Sequence, residues 1–419
     1  MEYIHRSIEP VIVETAKTFK VLFLTGSRQV GKSTMLERIF QGHNQITFDD
    51  PVVLAQAKTE PMLFIGDNKP PLLLDEIQYS ADLFPYIKMV CDKSDKKGLY
   101  ILTGSQHFRL MKDVSESLAG RVGIMELAPL SLREIQNIKF NKHFVPTKDY
   151  IEARKKTAKH CDDIWSVIHR GGYPELQDKS VSWERFFGAY VKTYIERDIN
   201  HITKIGNQLK FTQFLTVLAA RTAQMLNYQN MADELEISLN TVKNWVSLLE
   251  ATGLVFVLQP FTNSALGRAI RTPKIFFRDT GLVCYLTKWS SAETAKNGAM
   301  AGNLFETFVV SEIMKSFANE GLDYRFRVSY YRGKDKIRRS VDGEQIRADS
   351  EIDLIIEENG VFHPIEIKMT ANPKAEMAAA FESLDKVPAG KRGDGAIVSM
   401  YDKPLTLREN VRSIPVDFI

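Results

Sequence analysis

Eight consecutive residues, Gly26-Ser27-Arg28-Gln29-Val30-Gly31-Lys32-Ser33, place two glycines, a lysine and a hydroxyl at the spacing GxxxxGK[ST], with Thr34 directly after. Gly26 and Gly31 permit backbone turns that a Cβ would obstruct, so successive N–H groups between them can converge on phosphate oxygens. Lys32 supplies an ammonium for the outer phosphates of a nucleotide, and Ser33 a hydroxyl for Mg²⁺. A second group, Leu72-Leu73-Leu74-Asp75-Glu76, ends an apolar run in two adjacent carboxylates. Asp75 suits Mg²⁺, directly or through water, and Glu76 suits a base that orients and polarises an attacking water. The pair of motifs implies binding and hydrolysis of a Mg²⁺-nucleotide. ATP is expected rather than GTP, because Asn141-Lys142-His143-Phe144 lacks the Asp that would meet a guanine edge.

These groups work only if the chain positions them. Val21-Leu22-Phe23-Leu24 reads as a buried strand feeding the glycine loop, and Ser33 to Phe40 reads as the helix after it, whose N-terminal dipole adds to anion binding. Further strands are expected at 45–49, 99–105 and 123–127, interleaved with helices, which gives an α/β fold with a mostly parallel five-strand sheet. Such a sheet keeps its ligands at the carboxyl ends of its strands, where Asp75 and Glu76 fall. Ser105, closing the fourth strand, is a hydroxyl able to sense the γ-phosphate or hold the lytic water.

The 419 residues suffice for two or three domains, and 44% apolar with 26% charged residues is ordinary for a soluble protein. A net charge of +3 is too small to argue for nucleic acid. Three scattered cysteines without a CxxC pair suggest a reducing compartment and no structural zinc. With neither a signal-like N-terminus nor a run of membrane-spanning length, a cytoplasmic chain without membrane contact is expected.

GSRQVGKST, LLLDEIQ, LTGS and Leu118-Ala119-Gly120-Arg121-Val122, in this order, resemble the prokaryotic AAA-type ATPases that carry a nuclease-like C-terminal region. The resemblance continues through Gly171-Gly172-Tyr173-Pro174-Glu175 and Tyr190 to Asp198, and covers most of the chain. It implies that Arg121 is a finger reaching a nucleotide, in cis or in trans, with a homo-oligomer as candidate partner. It also implies that Arg170, before the Gly-Gly-Tyr-Pro element, is a lid arginine touching phosphates.

Residues 1–130 are thus expected to form the P-loop core, 131–204 a helical lid and linker, 205–290 a winged helix, and 291–419 a PD-(D/E)xK-like α/β domain. In the third segment, Ser238 should cap a helix with Val242, Trp245, Leu248 and Leu249 inward and Asn240, Thr241, Lys243 and Asn244 outward. That helix suits a DNA groove, yet its single Lys equally suits a protein-binding or packing role. In the last segment, Asp353 and Glu366-Ile367-Lys368 look like the PD-(D/E)xK nuclease core. With Glu306 from an upstream helix they imply a second Mg²⁺ or Mn²⁺ site, and Lys368 a catalytic lysine. Arg325, Arg327, Arg332, Lys334, Lys336, Arg338 and Arg339 form a basic stretch before it. Two readings stand: an ATPase acting on nucleic acid, or a STAND-like regulatory switch ATPase whose C-terminal domains bind a protein.

Overall fold

The structure, a computed structural model, describes residues 2–104, 114, 116–195, 208–262, 272–339, 345–387 and 390–419. The N-terminal sheet contains β1 (Val21–Thr25), β2 (Asn44–Thr47), β3 (Leu72–Asp75), β4 (Tyr100–Thr103) and β5 (Val122–Glu126). All pairings are parallel, in the order β2-β3-β4-β1-β5. β1 and β4 are central and wholly buried, which explains their unbroken apolar runs; edge strand β2 is largely exposed. Alternation sends Leu22 and Leu24 to one face, beneath Ile8 and Ile12 of the N-terminal segment. Val21 and Phe23 go to the other, against Leu72, Leu74 and Leu102.

Between residues 131 and 190 the chain is helical, but its first half is no free lid. Arg133 on the helix Leu132–Ile135 donates to the carbonyls of Ile419, Phe140 and Lys142 and to the Tyr150 hydroxyl. Arg154 donates to the carbonyls of Phe418 and Asp417. This half therefore fastens the chain's C-terminus to the N-terminal sheet. The turn between the helices Ile164–Arg170 and Trp183–Tyr190 lies next to the glycine loop, with Pro174 beside Gly31.

The third segment is helix Gln208–Ala220, β6 (Gln224–Met225), helices Tyr228–Leu235 and Leu239–Ala251, then β7 (Val255–Leu258) and β8 (Lys274–Phe277). The strands form an antiparallel sheet in the order β6-β8-β7. Ser238 caps the last helix by accepting from the Thr241 N–H at 3.1 Å, and Val242, Trp245, Val246, Leu248 and Leu249 are its buried face.

The C-terminal segment packs helix Ala301–Asn319 against a larger sheet. Its strands are β9 (Val328–Arg339), β10 (Gln345–Glu358), β11 (Val361–Lys368), β12 (Lys391–Arg392), β13 (Gly395–Ser399), β14 (Leu405–Arg408) and β15 (Val411–Pro415). The order is β14-β15-β13-β11-β10-β9, with β12 beside β11. β10 and β11 are joined by Asn359-Gly360, both at positive φ, as a two-residue hairpin requires. One apolar core runs from Ile8 to Ile419, so the segments share their interior.

Candidate nucleotide site and C-terminal carboxylate cluster

β1 ends at Thr25, and the glycine loop turns from it into the helix Lys32–Ile39. Gly26 has φ 146°, and a Cβ there would lie 2.3 Å from the Leu127 carbonyl oxygen; Gly31 has φ 90°. Both positions therefore require glycine. The Lys32 ammonium donates to the carbonyls of Gly26 and Ser27 at 3.1 and 2.9 Å. Burial lowers its pKa to about 8, against the pull of Glu76 and Asp75.

The Ser33 hydroxyl donates to Asp75 Oδ1 at 2.8 Å, and the Thr103 hydroxyl donates to the same oxygen at 2.6 Å. A hydroxyl and a carboxylate held together beside a phosphate loop are hard oxygen ligands, which fits Mg²⁺. Glu76 follows in the left-handed region, φ 56° and ψ 43°. A non-glycine residue there is strained, and strain of this kind concentrates at working sites. Burial pushes the Glu76 carboxyl above its ordinary range, opposed by Lys32 and by the Gln78 amide that donates to it. Its environment thus makes it a stronger base than a solvated carboxylate.

Behind the glycine loop stand residues that no local motif announces. Arg6 donates to the carbonyls of Val30 and Ala128 at 2.9 and 2.7 Å and pairs with Glu134 at 3.2 Å, bracing the loop from behind. The Tyr173 hydroxyl lies beside Ser27 and donates to the Tyr190 hydroxyl at 2.9 Å, and Pro174 approaches Gly31. The Gly-Gly-Tyr-Pro element therefore touches the glycine loop through its tyrosine and proline. Gly171, at φ 81°, has room for no Cβ, which would fall 2.5 Å from Asp279 Oδ1.

Two expectations change. Arg170 is not aimed at the loop: its guanidinium donates to the carbonyls of Leu176, Asp178 and Val181 and closes the turn around Pro174. Those three carbonyls, on nearby backbone, take up its donors. Arg121 precedes β5, and its own carbonyl accepts from Val21 N at the start of β1. The glycine loop leaves the opposite end of β1, roughly 15 Å away at about 3.3 Å per residue. Arg121 thus cannot serve this chain's own loop, and it pairs with Asp92 at 2.5 Å. Ser105 lies outside the described residues.

The family comparisons agree with this geometry. Residues 18–136 match the model described as AAA domain. This stretch is thus similar to AAA domains, and it holds the glycine loop and the Asp75 strand. Beyond the AAA domain, residues 161–293 and 301–419 match two models described as domains of unknown function, DUF8612 and DUF4143. An uncharacterized protein of Mycobacterium tuberculosis is 25% identical over 405 residues, covering 95% of this chain and 80% of the relative. One of Methanocaldococcus jannaschii is 24% identical over 274 residues, 58% and 57% of the two chains. Among solved structures, the Walker-type ATPase of Pyrococcus abyssi aligns with TM-score 0.39 and 16% identity, over 68% of this chain and 96% of that one.

Away from the AAA domain, Glu306, Asp353, Glu366 and Lys368 do come together. Lys368 Nζ lies 2.5 Å from Glu366 Oε1 and 3.5 Å from Asp353 Oδ2, and Asp353 Oδ2 also accepts from the Ile367 N–H. The expected cluster differs in one respect: a second lysine, Lys274 of β8, stands between the helix and the strands. It is 3.2 Å from Glu306, 2.7 Å from Glu351 and 3.9 Å from Asp353. Burial, then Asp353, pushes Glu306 and Glu366 up to about 7. Among the described residues no three acidic, His or Cys side chains are arranged to hold a metal directly. Glu366 Oε2, however, is buried without a hydrogen-bond partner, as a carboxylate oxygen facing a cation would be.

The basic stretch is partly spent. Arg325 pairs with Asp323 and Glu126, and Arg327 lies 3.9 Å from Glu358. The side chains of Lys334, Lys336, Arg338 and Arg339 lie outside the described residues. Among the described residues no helix is long and apolar enough to cross a membrane.

Proposed function

We propose that the AAA domain binds Mg²⁺-ATP and hydrolyses it, and that the segments after it couple this cycle to nucleic acid. The observation that carries the hydrolytic half is Asp75, joined to Ser33 and Thr103 at the strand ends beside the glycine loop. Loop N–H groups and Lys32 receive the phosphates. Ser33 and Asp75 would hold Mg²⁺, which would neutralise negative charge on the phosphates. Glu76 accepts the proton of the attacking water as its oxygen approaches the γ-phosphorus in line with the departing β-phosphate oxygen. Thr103, whose hydroxyl is bonded to Asp75 at the end of β4, takes a sensing place beside the γ-phosphate in this reading. Arg121 acts, in this reading, on the nucleotide of a second copy once released from Asp92.

The helix–strand–helix–helix–strand–strand order of residues 208–277 supports a winged helix. Asn240, Lys243, Asn244 and Ser247 are exposed on its last helix, the face that would meet a DNA groove. The β10–β11 hairpin that sets Asp353 beside Glu366 supports a PD-(D/E)xK-like C-terminal unit. A switch ATPase without cleavage is favoured by a different observation, an apolar core to which all four segments contribute, which would tie nucleotide state to the C-terminal unit.

The discriminating experiment is duplex DNA binding at two salt concentrations, with and without ATP, by wild type and by Asn240→Ala/Lys243→Ala/Asn244→Ala. The nucleic-acid reading expects salt-sensitive binding that the triple variant weakens at least tenfold, since polar groove contacts and a phosphate contact are lost together. Equal binding by both proteins, or none by either, sinks it and leaves the switch.

A further inference from the structure

β8 carries a lysine at one end and an arginine just past the other, and both leave their own sheet. Lys274 opens an otherwise apolar strand, Lys274-Ile275-Phe276-Phe277, and its side chain is 4% exposed. Its ammonium is shared by Glu306 of the helix Ala301–Asn319 and by Glu351 and Asp353 of β10, with the Tyr330 ring 5.6 Å away. Burying an ammonium is costly without such compensation, so the three carboxylates are what hold it there. Arg278, immediately after β8, pairs with Glu126 at 3.0 Å. Glu126 ends β5 of the AAA domain, in register with Thr25, the residue before the glycine loop. Next to it, Asp279 accepts from the Gly172 N–H at 2.7 Å, in the element whose Pro174 approaches Gly31.

Resting on the reading of the C-terminal carboxylates as an ion site, we infer that Lys274 is a tethered cation that blocks that site. A divalent ion needs oxygens from both the helix and the hairpin, and the carboxylates of Glu306 and Asp353 that face each other both face Lys274. Lys368 partners the remaining carboxylate, Glu366, leaving Glu366 Oε2 open. Two ammoniums therefore stand among four carboxylates, Glu306, Glu351, Asp353 and Glu366. The excess negative charge attracts a cation, while Lys274 occupies the gap in which one would bridge the two elements. The far end of β8 is fastened to the AAA sheet through Arg278 and Glu126, so a shift of that fastening would move the strand that carries Lys274. The ion site is in this way closed by the segment that also contacts the nucleotide site.

The test is Mn²⁺ titration of the full-length, nucleotide-free protein, reading free Mn²⁺ by electron paramagnetic resonance. Wild type, Lys274→Met and Lys274→Met/Asp353→Asn are compared, all with the same Asp75. The expected result is weak binding by wild type and a gain of one site, roughly tenfold tighter or more, in Lys274→Met. Asp353→Asn should abolish the gain. Should Lys274→Met fail to fold, Lys274→Met/Glu351→Gln removes one charge of each sign, keeps the cluster's balance, and should show the same gain. Wild type binding Mn²⁺ through Asp353 as tightly as Lys274→Met overturns the blocking role and keeps the ion site. Absence of Mn²⁺ binding in every variant overturns both. Neither outcome bears on hydrolysis at Glu76.

Discussion

The Glu76→Gln substitution is expected to leave ATP binding within a few-fold of wild type and to slow hydrolysis by about 10²–10³-fold, the range of a lost general base. Glutamine keeps the size of the side chain and the Gln78 contact, but cannot accept the proton of the attacking water. Lys32, Ser33 and Asp75 are untouched, so phosphate and metal binding persist. The comparison is filter-retained ATP against phosphate released in one turnover. Loss of ATP binding equal to the loss of hydrolysis would mean that Glu76 builds the site instead of acting in it.

The largest effect on stability is expected at Arg133. Its guanidinium is buried and donates to the carbonyls of Ile419, Phe140 and Lys142 and to Tyr150 Oη. Arg133→Met retains the apolar stem and strips the donors, leaving the carbonyls of Ile419, Phe140 and Lys142 without that partner, while the Tyr150 hydroxyl keeps its bond to the Phe418 carbonyl. Each orphaned buried acceptor costs about 1–3 kcal/mol, so the substitution should cost about 3–5 kcal/mol once the site relaxes. Urea unfolding reads this as a fall in the midpoint. An unchanged midpoint would show that water replaces the guanidinium freely.

The nucleotide site was readable because its chemistry is contiguous. The loop spans eight residues, and Asp75-Glu76 closes a strand whose apolar run announces it. The parallel sheet was readable for the same reason: β1, β3 and β4 are central enough to be apolar throughout. The hydroxyl that meets Asp75 belongs to Thr103, the last residue of β4, and the end of a strand is poorly marked in sequence. The finger geometry of Arg121 depends on which end of the sheet the residue occupies, which only strand direction reveals.

Side chains that join distant segments left fainter traces. Arg170 looked like a phosphate ligand because it adjoins Gly-Gly-Tyr-Pro, yet the turn made by those residues supplies the carbonyls that engage it. Lys274 does carry a signal, a lone ammonium opening an apolar strand, and burial there demands acidic partners. Their identity, Glu306, Glu351 and Asp353, comes from packing between segments and from no local pattern. Arg6, Arg133 and Arg154 are alike in this: each reads as an ordinary surface arginine and is buried by more than a hundred residues of intervening chain.

The central claim is that this chain hydrolyses ATP at its glycine loop. Steady-state phosphate release from ATP with Mg²⁺, by wild type and by Lys32→Ala, tests it most directly. The expected result is saturable release by wild type that falls to background in Lys32→Ala, because the phosphates lose their buried ammonium. Release that persists undiminished in Lys32→Ala, or a folded wild type that neither binds nor hydrolyses ATP, would contradict it.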